Sequence, residues 1–589
     1  MQELFDTFYE ATGGHNEVQD SWIPVTAVRA LLLEDPVLIW LEHHGKQWGL
    51  EKDSKEYSFL EHIAQKGHEF EAKWIREVLP DAVQLMNKDW HVRRVETFLR
   101  TMEELHRGTP AIVKAALWYK PQQLYGSTDI LLKSEKLYEL FPHLKPEKDE
   151  PNHYIIMDCK FSTGLHLPKK RKDYLLAATQ VRTYSYILGH LQGFMPIRAF
   201  LVTRDRPHSL IAVEVDMVLD DPIDPEIARL RDWYLQIKHK GQRMLPWECS
   251  ETRPNFSNEK DEPWHDAKRK IREEFMEEQP LELLPFVGSK QAEGLRALGF
   301  QTLDNLLKSC PDTVPFETVN GLAEKSARRI RAVLHSHRSG KPPHVPTSAL
   351  PPRRTREFFI DYEFLNNMNV DIQREWHGLE GTPMVFMVGV GWEQEGEWQF
   401  RSFVAEAETH AAERKMLQRF MAFLEQHGAL SGNAALYHWS HAEPVQTMQA
   451  VKRSGLTELE NLPWCDLKTV FEEANIALPG AWGLGIKEVA KALGELSPTH
   501  SVEWPSELGD GLRAMVMAWD AYKHSDPINT EEMRCITAYL EVDCKALSRI
   551  LAWLRDTVGS GEGVRSITSS FQGWFRMARA RSALSCKSQ

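Results

Sequence analysis

The sequence predicts an α/β protein in which two α/β domains flank a small helical module. Three observations carry this reading. At 589 residues the chain is longer than one ordinary hydrophobic core organises. Strand-length apolar runs cluster before residue 250 and again after residue 357, in both places mixed with helical periodicity. Between them lie short glycine turns ahead of amphipathic helices, and then the proline-rich stretch GKPPHVPTSALPP.

Taken in order, residues 1–250 form the first domain, with QLYGSTDILL, HYIIMDCKF, RAFLVTRD and SLIAVEVD as its strands. The turn-rich segment ETRPNFSNEKDEPWHD opens a charged connector over 251–280, and a helical module follows over 281–336. Residues 337–356 read as a basic, proline-rich linker stiff enough to hold two bodies apart. The second domain spans 357–556 through EFFIDYEF, MVFMVGVGWE, WQFRSFVAE and AALYHWS, and a Ser-rich basic tail closes the chain over 557–589.

Composition narrows the function classes. Hydrophobic residues make up 42% and charged residues 26%, and runs such as Pro383 to Trp392 are far shorter than the roughly 20 residues of a membrane span. The start, MQELFDTFYE, carries no basic region ahead of an apolar stretch, so a cytoplasmic protein without membrane partners is expected. The seven cysteines are odd in number and none forms a C-x-x-C pair, which argues against disulfides and zinc ribbons. Net charge is −13, yet Lys325 to Arg356 holds nine Lys and Arg and no acid. That stretch reads either as a solvated linker or as a phosphate-contacting surface.

Two constellations carry chemistry. In HYIIMDCKF, period-two geometry points Asp158 and Lys160 to one strand face and Met157 and Cys159 to the other, with Asp129 on a neighbouring run. Convergent carboxylates hold Mg²⁺ or Mn²⁺, and a lysine beside them orients or deprotonates the attacking water. D-x-K alone more often marks an exposed strand face. In EFFIDYEF, Asp361 and Glu363 share a face and repel, which a metal relieves. Tyr539 and Asp543 lie one helical turn apart in YLEVD, so they share a helix face.

The order Gly126-x-x-Asp129, Asp158-Cys-Lys160, then Gln180 and Tyr184 in QVRTY resembles the RecB branch of the PD-(D/E)xK nucleases. Gly67 and Glu71 in KGHEFEAKWI match that branch's early helix, which contributes a further carboxylate. The resemblance covers roughly residues 20–220 and implies a restriction-endonuclease-like core with Glu71, Asp129 and Asp158 as metal ligands. It implies catalytic roles for Asp129, Asp158, Lys160, Gln180 and Tyr184. Some members carry four cysteines for an iron–sulfur cluster; Cys249 alone cannot supply them, so no cluster is expected.

The turns Pro285-Phe286-Val287-Gly288 and Val319-Asn320-Gly321-Leu322 resemble tandem helix-hairpin-helix modules, whose backbone amides meet phosphates. That implies nucleic-acid contacts by Gly288, Lys325, Arg328, Arg329 and Arg331, although Phe286 stands where the family commonly has glycine; a plain helical spacer is the alternative. The second constellation resembles the DEDD exonucleases of RNase H-like fold. Asp361 and Glu363 match the first motif, and Tyr539 and Asp543 the Y-x-x-x-D motif. Glu443 in ALYHWSHAEPVQTM stands where a RecB-associated subgroup places glutamate, and CDLKTVF supplies Asp466. The metal set so implied is Asp361, Glu363, Glu443 and Asp543. His438 and His441 are more often structural than catalytic in such positions.

The three segments in this order are similar to a bacterial and phage-type RecB-family nuclease group. The resemblance implies a Mg²⁺- or Mn²⁺-dependent DNA nuclease in repair, recombination or mobile-element defence, with single-stranded DNA or free ends as first substrate. RNA in place of DNA is one alternative, and a nucleic-acid-binding scaffold with one decayed site is the alternative of a different class. No G-x-x-x-x-G-K-[ST] phosphate loop is present, so unwinding would need a helicase or other partner.

Overall fold

The computed structural model describes residues 9–27, 37–52, 58–86, 91–146, 150–215, 223–241, 264–276, 278–372, 381–430, 432–505 and 511–559. Residues 251–263 and 277 of the expected connector, the tail after residue 559, Cys249 and Cys586 lie outside them. The chain is mixed α/β and divides into two compact units: residues 1–53, 60–254 and 370–379, and residues 54–59, 255–369 and 380–589. No helix among the described residues is long and apolar enough to cross a membrane.

In the first unit a six-stranded mixed sheet runs in chain order among the described residues: β1 (Val83–Gln84), β2 (Ala111–Val113), β3 (Ile130–Lys133), β4 (Tyr154–Lys160), β5 (Arg198–Thr203) and β6 (Arg206–Glu214). Its central strand shows why. Ile155 and Met157 of β4 enter a core with Phe70 and Trp74 of helix α1 (Phe59–Val78), and Cys159 packs against that core. The alternate side chains face helix α2 (Arg171–Gln192), where Lys160 meets Gln180.

The second unit opens with the helical module. Its two glycine turns are tied together by Gln291, which donates to Asn320 O at 3.2 Å, and they lead into α3 (Ser289–Ala297) and α4 (Glu324–Ser339). The sheet that follows has the order β9-β8-β7-β10-β11 among the described residues, from β7 (Arg356–Leu365), β8 (Met384–Gln394), β9 (Glu397–Val404), β10 (Ala434–His438) and β11 (Trp464–Asp466). Pairings β9–β8 and β8–β7 are antiparallel, and β7–β10 and β10–β11 parallel. Strand β7 is therefore central. Its Phe358, Ile360 and Tyr362 join a core with Met416, Phe420 and Leu424 of α5 (His410–Gln426). Phe359, on the other face, packs with Tyr437 and with Leu547 and Leu551 of α8 (Glu531–Gly559). Helices α6 (Ala442–Ser454) and α7 (Ile486–Leu496) complete what the site needs.

Two expectations are corrected here. The segment read as a stiff spacer is packed: Val345 is buried among Phe359 and Tyr437, and Leu350 lies against the same core. An apolar residue every few positions let the proline-rich chain adhere where its stiffness alone suggested separation. Arg329, expected at phosphate, is buried and donates to Ile476 O, while Ser336 donates to Ala477 O at 3.1 Å. His337 stacks on Trp482 with centroids 3.6 Å apart and accepts from Gly480 N. Helix α4 is thus a docking element for the domain that follows it.

Candidate active site

In the second unit, β7 carries Asp361 and Glu363 on one face, and a bulge between Glu363 and Phe364 bends the strand just beyond them. Opposite Asp361 in the register stands Gly389 of β8. A Cβ at Gly389 would lie 2.7 Å from Leu540 Cγ and 3.2 Å from Cys544 Sγ. The missing side chain lets α8 lie close on the sheet and brings Asp543 to Asp361. Asp361, Glu363 and Asp543 each offer an oxygen within 4.8 Å of the others', the one set of that kind among the described residues.

Glu443, at the start of α6, is buried, shares a hydrogen bond with Asp361 and sits 3.2 Å from His438 Nδ1. So His438, itself buried, positions a carboxylate. Asp543 accepts from the Trp504 indole at 2.8 Å and from the Tyr539 hydroxyl. Lys487 of α7 holds its ammonium 4.4 Å from the Tyr539 ring centroid. Burial, and then the charges of Asp543, Glu443 and Glu363, push the Asp361 carboxyl well above the carboxylate range. Burial carries Asp543 up to about 6, with Trp504 and Lys487 pulling the other way. Three buried acids and the half-buried Asp361 facing one another are costly unless a cation joins them. Their all-oxygen donor set fits Mg²⁺ or Mn²⁺.

Asp466 does other work: it caps the helix Leu467–Glu473, accepting from Lys468 N and Ser440 N at 2.9 and 2.8 Å. His441 lies at the N-terminal edge of α6 and is exposed. Trp504 and Lys487 were not singled out from the sequence. The tryptophan sits in SVEWPSEL, whose lack of period offers no signal; Lys487 is an ordinary polar position of an amphipathic helix.

The first unit gathers a different cluster. Lys160 Nζ lies 2.5 Å from Asp158 Oδ2 and donates to Gln180 Oε1 at 3.3 Å. Tyr184 hydrogen-bonds Gln180, and its ring rests on Gly126, where a Cβ would lie 2.7 Å from Cε1. Asp129 accepts from Cys159 N at 3.0 Å and shares a hydrogen bond with Asp158. All six residues expected from the first resemblance, Glu71 included, meet here. Between Glu71 and Asp129 stands a residue the sequence reading passed over: Lys114 Nζ is 2.5 Å from Glu71 Oε1 and 2.7 Å from Asp129 Oδ1. Burial lifts Asp158 to about 7, while at Asp129 burial is outweighed by the Lys114 and Lys160 ammoniums and the Cys159 N–H together, which hold the carboxyl below its ordinary range. Lys114 was legible by the reasoning applied to Asp158, since a lone charge inside the apolar run AIVKAALW needs a partner.

On the helical module, Gly288 N already donates to Gln291 Oε1 at 3.2 Å, and Phe286 takes a left-handed φ of 65° with its side chain 60% exposed. Lys325 and Arg328 are exposed, Arg328 with Glu324 4.0 Å away. Arg331 pairs with Glu317 at 2.6 Å and covers Phe316.

A family model described as the RNase_H superfamily matches residues 370–555. The C-terminal domain is RNase H-like, and such a domain points to nuclease-type activity on nucleic acids. Glu443, Tyr539 and Asp543 fall inside the match; Asp361 and Glu363 precede it and are tied to it by the pairing of β7 with β8 and β10. No curated protein matches the chain.

Proposed function

We propose that this chain is a divalent-metal-dependent nuclease that hydrolyses phosphodiester bonds in DNA, with a 3′-end-trimming centre in the C-terminal domain and a RecB-type centre in the first unit. The observation that carries the reading is the convergence of Asp361, Glu363 and Asp543, backed by Glu443, on the central strand of an RNase H-like domain. These four would hold Mg²⁺ or Mn²⁺. When bound, the metal supplies a polarised phosphoryl oxygen and an acidified water.

The chain's own groups do the rest. Trp504 and Tyr539 donate to Asp543 and fix which of its lone pairs face the centre. His438 does the same for Glu443. Lys487, seated over Tyr539, adds positive charge near the carboxylates, where a phosphate's developing charge needs it. In the first unit, Glu71, Asp129 and Asp158 would be the ligands, with Lys160 positioned by Gln180 to orient the attacking water. Roles in repair, recombination or mobile-element defence fit this chemistry equally.

The test is cleavage of end-labelled single- and double-stranded DNA and RNA by purified protein, with Mg²⁺, Mn²⁺ or EDTA. DNA cleavage that needs the cation and disappears in EDTA is expected. Full activity in EDTA would overturn both site assignments, and cleavage confined to RNA would move the substrate to the other sugar.

A further inference from the structure

The two lysines of the first unit's cluster are not equivalent. Lys160 sits on β4 beside Asp158, as an orienting lysine must. Lys114 follows the end of β2, and its backbone N–H donates to Asp129 O at 2.9 Å, so its main chain is anchored to the strand that leads out of Asp129. It adopts φ 54°, a left-handed conformation that a side-chain-bearing residue rarely takes. The result is an ammonium held between Glu71 Oε1 and Asp129 Oδ1, two of the carboxylates that would hold a metal in the first unit.

We propose that Lys114 is a resident counter-ion of the Glu71–Asp129 pair, which a divalent cation must displace for the first unit's site to load metal. This rests on the reading of that cluster as a metal site. Two like charges cannot share the space between the same two oxygens, so lysine and metal compete, and binding of one excludes the other. A displaced ammonium remains tethered beside the loaded site, and a nucleic-acid phosphate is the group whose charge suits it. Loading would then be coupled to substrate: the phosphate draws the ammonium away, and the metal enters. The cluster is thereby a centre that holds metal weakly until nucleic acid is present.

The experiment uses full-length protein carrying Asp361→Asn and Asp543→Asn, so that Mn²⁺ binding reports the first unit alone. Free Mn²⁺ is followed by electron paramagnetic resonance during titration, with and without a single-stranded oligonucleotide carrying a cleavage-resistant phosphorothioate backbone, whose integrity is checked on a gel after each titration and whose own Mn²⁺ uptake is measured without protein. Lys114→Met should tighten Mn²⁺ binding by about tenfold or more without oligonucleotide and abolish the oligonucleotide's enhancement, while Lys114→Arg keeps both near the parent. Should Lys114→Met fail to fold, Lys114→Gln makes the same comparison. Unchanged or weaker Mn²⁺ binding in the neutral variants overturns the counter-ion role. Failure of the parent and every variant to bind Mn²⁺, with or without oligonucleotide, overturns the metal-site reading beneath it.

Discussion

The two carboxylate clusters solve the same electrostatic problem in opposite ways. In the first unit the acids come with lysines: Lys114 serves Glu71 and Asp129, and Lys160 serves Asp158. In the second unit Asp361, Glu363, Asp543 and Glu443 face one another, with an indole, a phenol and an imidazole as hydrogen-bonding neighbours and Lys487 seated over a ring. The first cluster is close to charge balance by itself, whereas the second depends on protons or an added cation to relieve its repulsion. Similar carboxylate clusters can thus be tuned, by where lysines stand, toward weak or strong need of an added cation.

The contrast breaks most sharply on single substitutions. Asp361→Ala should lower 3′-end trimming by about a thousandfold or more, since a shared ligand of the metal set is gone, and leave the other cleavage products in place. Gel analysis of end-labelled products reads both at once. Unaltered product patterns on every substrate would make the RNase H-like domain a binding platform. Lys160→Ala should do the converse at roughly a hundredfold, the scale of losing one charge-stabilising group. If that variant cleaves like the parent, the first unit's cluster is the inactive one.

A gentler probe separates surface charge from internal charge. Neutralising Lys325, Arg328, Arg353 and Arg354, all exposed, should flatten the dependence of DNA affinity on salt, because fewer phosphate contacts release fewer counterions on binding. Arg329→Met should leave that slope unchanged and act on stability, since its guanidinium is buried against Ile476 O. An equal slope in both variants would return the basic stretch to a solvated surface.

The smallest effect is thermal. Asp361→Asn should raise the melting temperature of EDTA-treated protein by a few degrees, a shift of about 1 kcal/mol in a domain of this size, and remove most of the further gain produced by Mg²⁺. Asp158→Asn should give a smaller rise and leave the Mg²⁺ gain in place, because relief of the buried carboxyl is offset by loss of its ion pair with Lys160 at 2.5 Å. Scanning calorimetry with and without Mg²⁺ checks the pair, and a matching rise in Asp158→Asn would erase the proposed contrast.

Strand periodicity was enough to place Asp158 with Lys160 and Asp361 with Glu363, because a period of two leaves no choice of face once the run is a strand. Helical spacing did the same for Gln180 with Tyr184 and for Tyr539 with Asp543. What escaped was set by contacts far apart in sequence. Trp504 reaches Asp543 across 39 residues from a segment with no period, and Lys114, just past the end of β2, reaches Glu71 on helix α1. Composition misled over Arg329, since a basic run in an acidic protein looks like surface until the neighbouring domain covers it. Prolines in 340–352 looked like a spacer because stiffness is legible locally and adhesion through Val345 is not.

The spacing of the acids is set at Gly389. Asp361 belongs to a strand and Asp543 to a helix, and how near they come depends on how closely Leu540 and Cys544 rest on a glycine. The geometry of the carboxylates is therefore a dimension of the hydrophobic interior, gauged by a side chain that is absent. Drift in the site can arise without any change among the acids, through one added methyl group that wedges the layers apart.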